Sequence, residues 1–274
     1  MSGTLYIVAT PIGNLEDITR RAARILAEVD AIACEDTRQT SKLLAYLGIE
    51  RPLLAFHDHN ERERAADLTS RLLAGASLAL VSDAGTPLIS DPGYRLIEAA
   101  TAAGVPVVPI PGACAAVAAL CASGLAIDSF YFGGFFPPKT SQRRKLLEGL
   151  RGLPATLVFY EAPHRILETL SDIAEVFPAR AMVVARELTK LHEEFLRGTA
   201  IHIHATLAAR ASIKGEFTIL LGKGPDASPP GDRPVNEAVA ELEAAGVSRM
   251  DAIKAVARER GVGKREVYRV LEKS

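Results

Sequence analysis

The chain has 274 residues, a formal net charge of -1 and a hydrophobic fraction of 48%. This length suffices for one large domain or for two ordinary domains with real cores. The near-zero charge excludes a global field that attracts polyanions, so any contact with nucleic acid has to come from local basic patches.

The start of the chain and its cysteines favour a cytoplasmic protein. The first residues, MSGTLYIVATPIGN, lack the basic region and the long apolar core of a signal peptide. No apolar stretch approaches membrane-spanning length, so no membrane contact is expected. Cys34, Cys114 and Cys121 lack the spacing of metal ligands or of a disulfide framework, which fits a reducing compartment.

The first half of the chain alternates predicted strands with predicted helices. Short apolar runs predict strands over residues 4–10, 31–34, 52–56, 78–81 and 105–110. Of the helices between and after them, the first has Asp17 near its start, the second ends at Gly48 and the third spans 61–74. The fourth runs through Ile97, and the fifth, which is rich in small residues, follows Cys114. This alternation predicts a parallel, doubly wound sheet.

Four loops rich in turn residues follow strands of this sheet. They read TPIGN, EDTR, SDAGTP and PGACA, and the carboxyl ends of parallel strands bring them to one edge. The stretch 78–93, LALVSDAGTPLISDPG, is the most informative, because Gly85 allows close approach to a ligand and Pro87 stiffens the chain. We expect a ligand site here, although an ordinary strand-to-helix connection is the simpler alternative.

The second half has more strands per helix, which predicts a second α/β domain with a mixed sheet. Its predicted strands span 130–136, 155–160, 181–185, 194–197 and 216–221. After the first of them, Lys139, Arg143, Arg144 and Lys145 form a basic cluster. The simplest interpretation of that cluster is a solvated helix face.

A linker and a short helical module end the chain. Residues 224–234, GPDASPPGDRP, are rich in Pro and Gly. Helices are predicted from residue 235, over 249–260 and over 264–273. From Arg249 onward there are eight basic and four acidic residues, a difference of +4, which favours a helix-turn-helix-like nucleic-acid contact over a capping bundle. The predicted domains are 1–124 and 125–223, followed by the linker and a module over 235–274.

Several common motifs are missing from the sequence. The first strand leads into TPIGN rather than GxGxxG, and there is no P-loop, which disfavours a nicotinamide enzyme or a methyltransferase of the common fold. Ser82 lacks the context of a nucleophile elbow. His57 and His59 flank Asp58 but have no clear third ligand, so no metal site is predicted.

Seven segments in order resemble the tetrapyrrole methylase superfamily: TPIGNLEDIT, EDTR, SDAGTPLISDPG, PGACA, YEAPHR, RELTKLHEE and KGEFTILL. They run from about residue 4 to residue 221 and are similar, more narrowly, to the branch that 2′-O-methylates ribose in small-subunit ribosomal RNA. The resemblance implies two α/β domains of tetrapyrrole methylase type with S-adenosyl-L-methionine in the cleft between them, and a homodimer. The implied substrate is a decoding-region cytidine of 16S rRNA in the small ribosomal subunit.

The resemblance also implies which residues bind the cofactor. The matching loop positions are Pro11, Ile12, Gly85, Thr86, Pro87, Ile89, Cys114 and Ala115. Positions expected near the adenosine are Tyr160, Glu161, Lys214, Gly215 and Glu216. Asp83 is predicted from its chemistry, because a carboxylate can hold the ammonium group or the ribose hydroxyls of the cofactor.

A ribose hydroxyl is a poor nucleophile, so methyl transfer to it needs accurate positioning in a dry site and a base or a polarising cation. The candidates are Glu35, Asp36, His164, Glu187 and Lys190. The dense RELTKLHEE segment favours Glu187 and Lys190 at the mouth of the cleft, although a capping or salt-bridging role is the simpler alternative for each candidate. Nearby arginines, Arg38, Arg165 and Arg186, are interpreted as partners of phosphates or carboxylates.

Two other functions stay open on the sequence. The same cofactor could serve methylation of a corrin or porphyrin precursor, although a small macrocycle needs no linker and no basic helices. Alternatively, the chain is a non-catalytic RNA-binding factor in ribosome assembly, which would have no affinity for S-adenosylmethionine.

Overall fold

A computed structural model describes residues 2–57, 60–224, 234–244, 247–259 and 262–271. The chain divides into two compact units, residues 1–151 with 155–222 and residues 152–154 with 223–274. Both sheets belong to the first unit, so the predicted boundary between residues 124 and 125 falls inside it and stays a prediction. Most of the predicted linker lies outside the described residues.

The first unit begins with a five-stranded parallel sheet, as predicted. Its strands are β1 (Leu5–Val8), β2 (Ala31–Cys34), β3 (Leu53–Ala55), β4 (Leu78–Val81) and β5 (Val107–Ile110). They lie in the order β3-β2-β4-β1-β5, with every neighbouring pair parallel. Strands β2 and β4 are buried along their whole length, which explains why their sequences are apolar throughout rather than alternating.

Helices cover both faces of this sheet, which confirms the doubly wound arrangement. They are α1 (Arg20–Glu28), α2 (Thr37–Leu47), α3 (Glu61–Leu73) and α4 (Tyr94–Ala102), and a further helix, α5 (Ala115–Ser123), follows β5. Leu26 of α1 and Leu44 of α2 join the apolar cluster on one face of the sheet. Leu68 of α3 and Leu96 of α4 join the cluster on the other face.

The predicted helix start near Asp17 is wrong. A short 3-10 helix, Leu15–Asp17, precedes α1, which begins only at Arg20. The side chain of Thr19 accepts a hydrogen bond from the backbone N–H of Ala22 at 3.0 Å, so a proper N-cap fixes the start of α1 further along the chain.

The second sheet is mixed, as predicted. Its strands are β6 (Phe130–Phe135), β7 (Thr156–Glu161), β8 (Met182–Arg186), β9 (Glu194–Gly198) and β10 (Phe217–Leu221), in the order β6-β7-β10-β8-β9. The β6–β7 pair is parallel and the other three pairs are antiparallel. Three helices accompany this sheet: α6 (Thr140–Gly149), α7 (Ile166–Val176) and α8 (Ala200–Ala208).

Helix α5 lies against the second sheet although it follows the last strand of the first. Its buried residues Ala116, Ala119 and Leu120 pack with Val158 of β7 and Leu220 of β10. Because these helix residues are mostly alanine, the helix can approach the sheet closely. The small-residue helix is therefore explained by sheet packing, and it holds the two sheets together.

The interpretation of the basic cluster as a solvated face holds for Lys139 and Lys145, which are exposed, but is wrong for Arg143. Arg143 is fully buried and its Nε donates to Asp172 Oδ2 on α7 at 2.8 Å. Its Nη1 donates to the carbonyl oxygen of Pro138 at 2.9 Å, and its Nη2 donates to Thr140 Oγ1 at 3.0 Å. Four basic residues within seven positions cover more than one face of a helix, and one of them points inward to a carboxylate.

Among its described residues, the second unit contains three helices, α9 (Val235–Ala244), α10 (Arg249–Glu259) and α11 (Lys264–Leu271). They share a small apolar core that includes Val239, Ile253 and Val267. The predicted ends at residues 260 and 273 lie outside the described residues. Across the described part of the chain, no helix combines the length and the apolarity that a membrane crossing requires.

Candidate functional site

The loops after β1, β4 and β5 meet at one edge of the parallel sheet, as predicted. Thr10 and Gly85 form an isolated antiparallel bridge, with backbone N···O distances of 2.8 and 3.1 Å. The hydroxyl of Thr86 donates to the carbonyl oxygen of Ala113 at 3.0 Å. The loop after β4 is therefore hydrogen-bonded to the loops on both sides of it.

The loop after β2 joins the same edge through Asp36. Its backbone N–H donates to Asp83 Oδ1 at 3.0 Å, while its side chain caps α2 by accepting from the backbone N–H of Arg38 at 2.9 Å. Hydrogen bonds from the Arg38 side chain and backbone lower the pKa of Asp36 to about 2. Such a carboxylate is a weak base, so the capping role explains Asp36 better than catalysis does.

Backbone strain is concentrated in two segments. Within the described ranges, the non-glycine residues with positive φ are Leu88 and Ser90, both at 72°, and Glu187 and Thr189, at 51° and 65°. The first two belong to the loop after β4 and the other two follow β8. Strained backbone of this kind persists where surrounding structure holds it and is frequent at functional sites.

A cavity of about 390 Å³ lies between the loop edge of the first sheet and the second sheet. This volume is within the usual range of small-ligand sites. Ten of the fourteen predicted cofactor-binding residues line it: Ile12, Asp83, Gly85, Thr86, Ile89, Cys114, Ala115, Tyr160, Glu161 and Glu216. The other four, which are not among its lining residues, are Pro11, Pro87, Lys214 and Gly215.

Eight lining residues were missed by the sequence predictions. Seven of them stand in motifs that the sequence singled out, and these are Ala84, Ser90, Asp91, Ala162, Pro163, Phe217 and Thr218. The motifs could therefore have located them. The eighth, Phe135, comes from the aromatic run on β6, which carried no functional prediction.

The charge of the lining is one-sided. Asp83, Asp91, Glu161 and Glu216 contribute carboxyl groups, and none of the residues that line the cavity in the described chain is basic. Part of this charge is neutralised from outside the lining, because Glu161 pairs with Arg165 and Glu216 with Lys190. A site lined in this way favours a ligand that carries positive charge and disfavours phosphate groups.

Tyr160 and Glu161 at the end of β7 shape the wall of the cavity. The Tyr160 hydroxyl oxygen accepts from the backbone N–H of Ala116 at 3.2 Å, and burial raises the pKa of Tyr160, which keeps the hydroxyl protonated. The buried Glu161 carboxylate accepts from Thr169 Oγ1 at 2.6 Å and lies 2.6 Å from Arg165 Nη2. These contacts fix β7 against α5 and hold the turn that follows the strand.

Glu187 and Lys190 lie next to the cavity wall rather than in its lining. Lys190 Nζ is 2.9 Å from Glu187 Oε1 and 3.1 Å from Glu216 Oε2, and Glu216 lines the cavity. Glu187 Oε1 also accepts from the backbone N–H of Glu216 at 3.0 Å. A Cβ on Gly215 would lie 2.5 Å from Glu187 Cγ, so only glycine allows this turn to approach the glutamate.

Hydrogen bonds keep both members of this pair charged. Burial opposes the charge on Glu187, but hydrogen bonds from Lys190 and from the Glu216 backbone outweigh it and lower the pKa of Glu187. Burial likewise opposes the charge on Lys190, whereas hydrogen bonds to Glu187 and Glu216 raise the pKa of Lys190. The group at the cavity wall is thus a lysine cation between two carboxylates.

A pH dependence of stability follows from this pair. The folded-state pKa of Glu187 lies below its ordinary value of 4.5, so its contribution is complete above that value and is lost as pH falls through the lowered pKa. We expect the difference in unfolding free energy between the wild type and Glu187→Gln to be constant above about pH 5 and to shrink at lower pH. Denaturant titrations at several pH values measure it, and a difference that persists unchanged down to strongly acidic pH contradicts the pairing.

The segment after β8 also contacts the first sheet. The backbone N–H of Asn14, in the loop after β1, donates to Thr189 Oγ1 at 3.1 Å. One strained segment lines the cavity through Ser90, and the other borders it through the contact of Glu187 with Glu216. Glu35 and His164 are not among the lining residues, and His164 is exposed.

The three arginines that were interpreted as anion partners each pair with a carboxylate of this chain. Arg38 pairs with Asp36, Arg165 with Glu161, and Arg186 Nη1 lies 2.9 Å from Glu194 Oε1. Across the described ranges, no three His, Cys, Asp or Glu side chains come together as metal ligands would. Asp58 and His59 lie outside those ranges.

The fold is that of a class of methyltransferases. The family model of the tetrapyrrole (corrin/porphyrin) methylases matches residues 4–203. The chain therefore belongs to the tetrapyrrole methylase family. A crystal structure of uroporphyrin-III C-methyltransferase from Thermus thermophilus, complexed with S-adenosylhomocysteine, shares the fold with a TM-score of 0.56 and 18% identity, covering 80% of this chain and 97% of that one.

Curated relatives are far more similar in sequence. Ribosomal RNA small subunit methyltransferase I of Halalkalibacterium halodurans is 49% identical over 277 residues, which covers 98% of this chain and 94% of the relative. The protein of the same name from Synechocystis sp. is 44% identical over 275 residues, covering 98% and 97% of the two chains. The chain is thus similar to these ribosomal RNA methyltransferases along nearly all of their length.

Proposed function

We propose that the cavity binds S-adenosyl-L-methionine and that the protein methylates 16S rRNA at the ribose 2′-hydroxyl of a decoding-region cytidine. The observation that carries the proposal is the acidic, small-residue cavity at the meeting point of the loops. Further support comes from the names of the curated relatives and from the bound S-adenosylhomocysteine of the structural neighbour.

The lining suits this cofactor. When bound, S-adenosylmethionine supplies an electrophilic methyl group on a positively charged sulfur, and its amino acid part carries an ammonium group. Asp83 can hold that ammonium or the ribose hydroxyls, since only one of its oxygens is engaged by the Asp36 N–H in the described contacts. Alanine, glycine and threonine on the loops leave backbone groups accessible for the rest of the molecule.

Methyl transfer to a ribose hydroxyl also requires activation of a poor nucleophile. The lysine between two carboxylates, Lys190, suits this role. We assign to Lys190 the stabilisation of negative charge that develops on the ribose oxygen as it loses its proton. Glu187 holds the ammonium group in place, and because its lowered pKa makes its carboxylate a weak base, we assign the hydroxyl proton to solvent. With S-adenosylmethionine bound, the ribose oxygen would gain the methyl carbon while the carbon–sulfur bond breaks and its electron pair stays on sulfur.

Substrate contact is assigned to the second unit. Arg249, Lys264 and Arg269 are exposed there and can bind phosphates of ribosomal RNA. Charge reversal in Lys264→Glu/Arg269→Glu should weaken binding to small subunits and reduce its salt dependence, whereas Lys145→Glu on α6 serves as a control in the first unit. Equal binding by all three proteins removes the assignment.

The protein is further proposed to act as a homodimer. The edge strand β6 carries exposed aromatic side chains, Phe130 and Tyr131, and such edges are commonly covered by another chain. Sedimentation of the full-length protein measures its oligomeric state, and a monomer at working concentration argues against it.

Replacing Asp83 with asparagine tests the cofactor site. We expect affinity for S-adenosylmethionine to fall about tenfold, because a charge-assisted hydrogen bond becomes a neutral one. Asparagine keeps an oxygen that can accept from the Asp36 N–H, so the loop should stay folded. Calorimetric titration measures the change, and unaltered affinity removes Asp83 from the site.

The function as a whole is tested by combining calorimetry with a transfer assay. The wild type should bind S-adenosylmethionine and transfer its methyl group to small ribosomal subunits from a strain that lacks this activity. A tetrapyrrole methylase would bind the cofactor and leave the RNA unmodified, and a non-catalytic assembly factor would bind RNA alone.

A further inference from the structure

The one cavity residue that no motif predicted, Phe135, has a role that the methyl donor does not explain. We propose that Phe135 is the stacking surface for the base of the nucleotide whose ribose is methylated. The inference rests on the proposed function, because it names how that site recognises its RNA substrate.

A bulge in β6 sets the direction of the Phe135 side chain. Phe132 pairs with Val158 of β7, and the next pair is Phe135 with Tyr160, so one extra residue stands on β6 between them. Side chains three positions apart on a regular strand point to opposite faces. The bulge places Phe132 and Phe135 on the same face, where their ring centroids lie 5.1 and 5.6 Å from that of Tyr160.

Two glycines build this bulge. A Cβ on Gly133 would lie 2.1 Å from the Phe159 ring, and Gly134 has φ +67°, a conformation that side chains rarely adopt. A Cβ on Gly134 would also lie 3.3 Å from Ser90 Oγ. The bulge is therefore packed against the strained loop after β4, at the rim of the cavity.

Phe135 is the most exposed of the aromatic residues that line the cavity in the described chain. Three aromatic residues line it within the described chain: Phe135, Tyr160 and Phe217. Phe217 is 2% exposed, and the Tyr160 hydroxyl is held by the Ala116 N–H. Phe135 is 53% exposed, so a ligand can reach its ring.

The chemistry of the substrate calls for such a ring. A nucleotide whose 2′-hydroxyl enters a cavity has to leave its stack, and displaced bases are held by stacking on aromatic side chains. The acidic lining does not favour phosphates, so the base is the part of the nucleotide that this rim can hold. Because a phenylalanine ring can stack on any base, it does not select the nucleotide to be methylated. That selection depends on contacts elsewhere.

Steady-state methylation of small ribosomal subunits tests the inference. Phe135→Leu keeps apolar bulk and removes the aromatic face, and we expect kcat/KM for subunits to fall about tenfold through KM. Phe135→Trp should restore it, and calorimetric affinity for S-adenosylmethionine should stay unchanged. Tyr46→Leu is the matched control, since Tyr46 is an aromatic residue on α2 that is 54% exposed and is not among the lining residues.

Three results would overturn the inference. One is an unchanged kcat/KM in Phe135→Leu, and another is an equal loss in Tyr46→Leu. The third is a loss of S-adenosylmethionine affinity in Phe135→Leu, which would place the ring against the cofactor. A wild type that is inactive on small subunits overturns the proposed function itself, whereas an active wild type matched by Phe135→Leu overturns the stacking role alone.

Discussion

Replacing Lys190 with methionine is expected to slow methyl transfer about 100-fold in a single turnover, because the cation that stabilises the reacting oxygen is removed. Methionine retains much of the apolar stem, so the packing of the segment after β8 should survive. Lys190 is outside the cavity lining, and calorimetric affinity for S-adenosylmethionine should therefore persist. Rapid mixing with pre-bound cofactor and small subunits measures the rate.

A lysine on α2 provides the control for this experiment. Lys42 is exposed and donates to Gln39 Oε1 at 3.1 Å, on the surface of that helix. Lys42→Met should leave the single-turnover rate unchanged. If Lys190→Met is as fast as the wild type, the ion pair with Glu187 only fixes the Gly215–Glu216 turn, and neither residue takes part in the chemistry.

Neutralising Asp172 is expected to cost about 3 kcal/mol of unfolding free energy, because it leaves the buried Arg143 guanidinium with only the exposed Glu168 carboxylate and also removes the ion pair of Asp172 with Arg144. Asp172→Asn preserves the shape of the side chain, so the loss reports the charge and not a cavity. Arg143 is 0% exposed and Asp172 is 2% exposed, and water can therefore replace little of the lost interaction. Denaturant unfolding of the full-length protein measures the difference.

The same helix offers a matched control. Glu175 pairs with Arg144 at 2.5 Å, but its side chain is 58% exposed, and exposed pairs contribute little. Glu175→Gln should shift the unfolding midpoint much less than Asp172→Asn. The double variant Arg143→Met/Asp172→Asn should be less destabilised than the sum of its single variants, since it removes both charges. Equal effects of Asp172→Asn and Glu175→Gln would contradict this description.

Local sequence patterns predicted much of the fold and the main cavity loops. The run Ala31–Cys34 is a strand with the predicted bounds, and Gly48 ends α2 where it was placed. The four loops converge because strands that alternate with helices are parallel and share one carboxyl edge. These features depend on neighbours in the sequence or on a general rule of topology, so the sequence is sufficient for them.

The features that the sequence did not predict depend on distant partners. Arg143 is buried because Asp172 lies opposite it on another helix, 29 positions along the chain. Phe135 faces the cavity because β6 has a bulge, and Gly133 allows the bulged strand to pack closely against the Phe159 ring. The basic and aromatic runs in the sequence predict neither the burial of Arg143 nor the orientation of Phe135, because both depend on how the helices and strands pack.

Nucleoside analysis of the modified RNA tests the proposed function most directly. Small ribosomal subunits treated with the protein and S-adenosylmethionine are digested to nucleosides, and mass spectrometry locates the added methyl group. We predict one new 2′-O-methylcytidine from the decoding region, and its loss in Lys190→Met at short times. A methyl group on a base, or RNA that stays unmodified while the cofactor binds, would contradict the assignment.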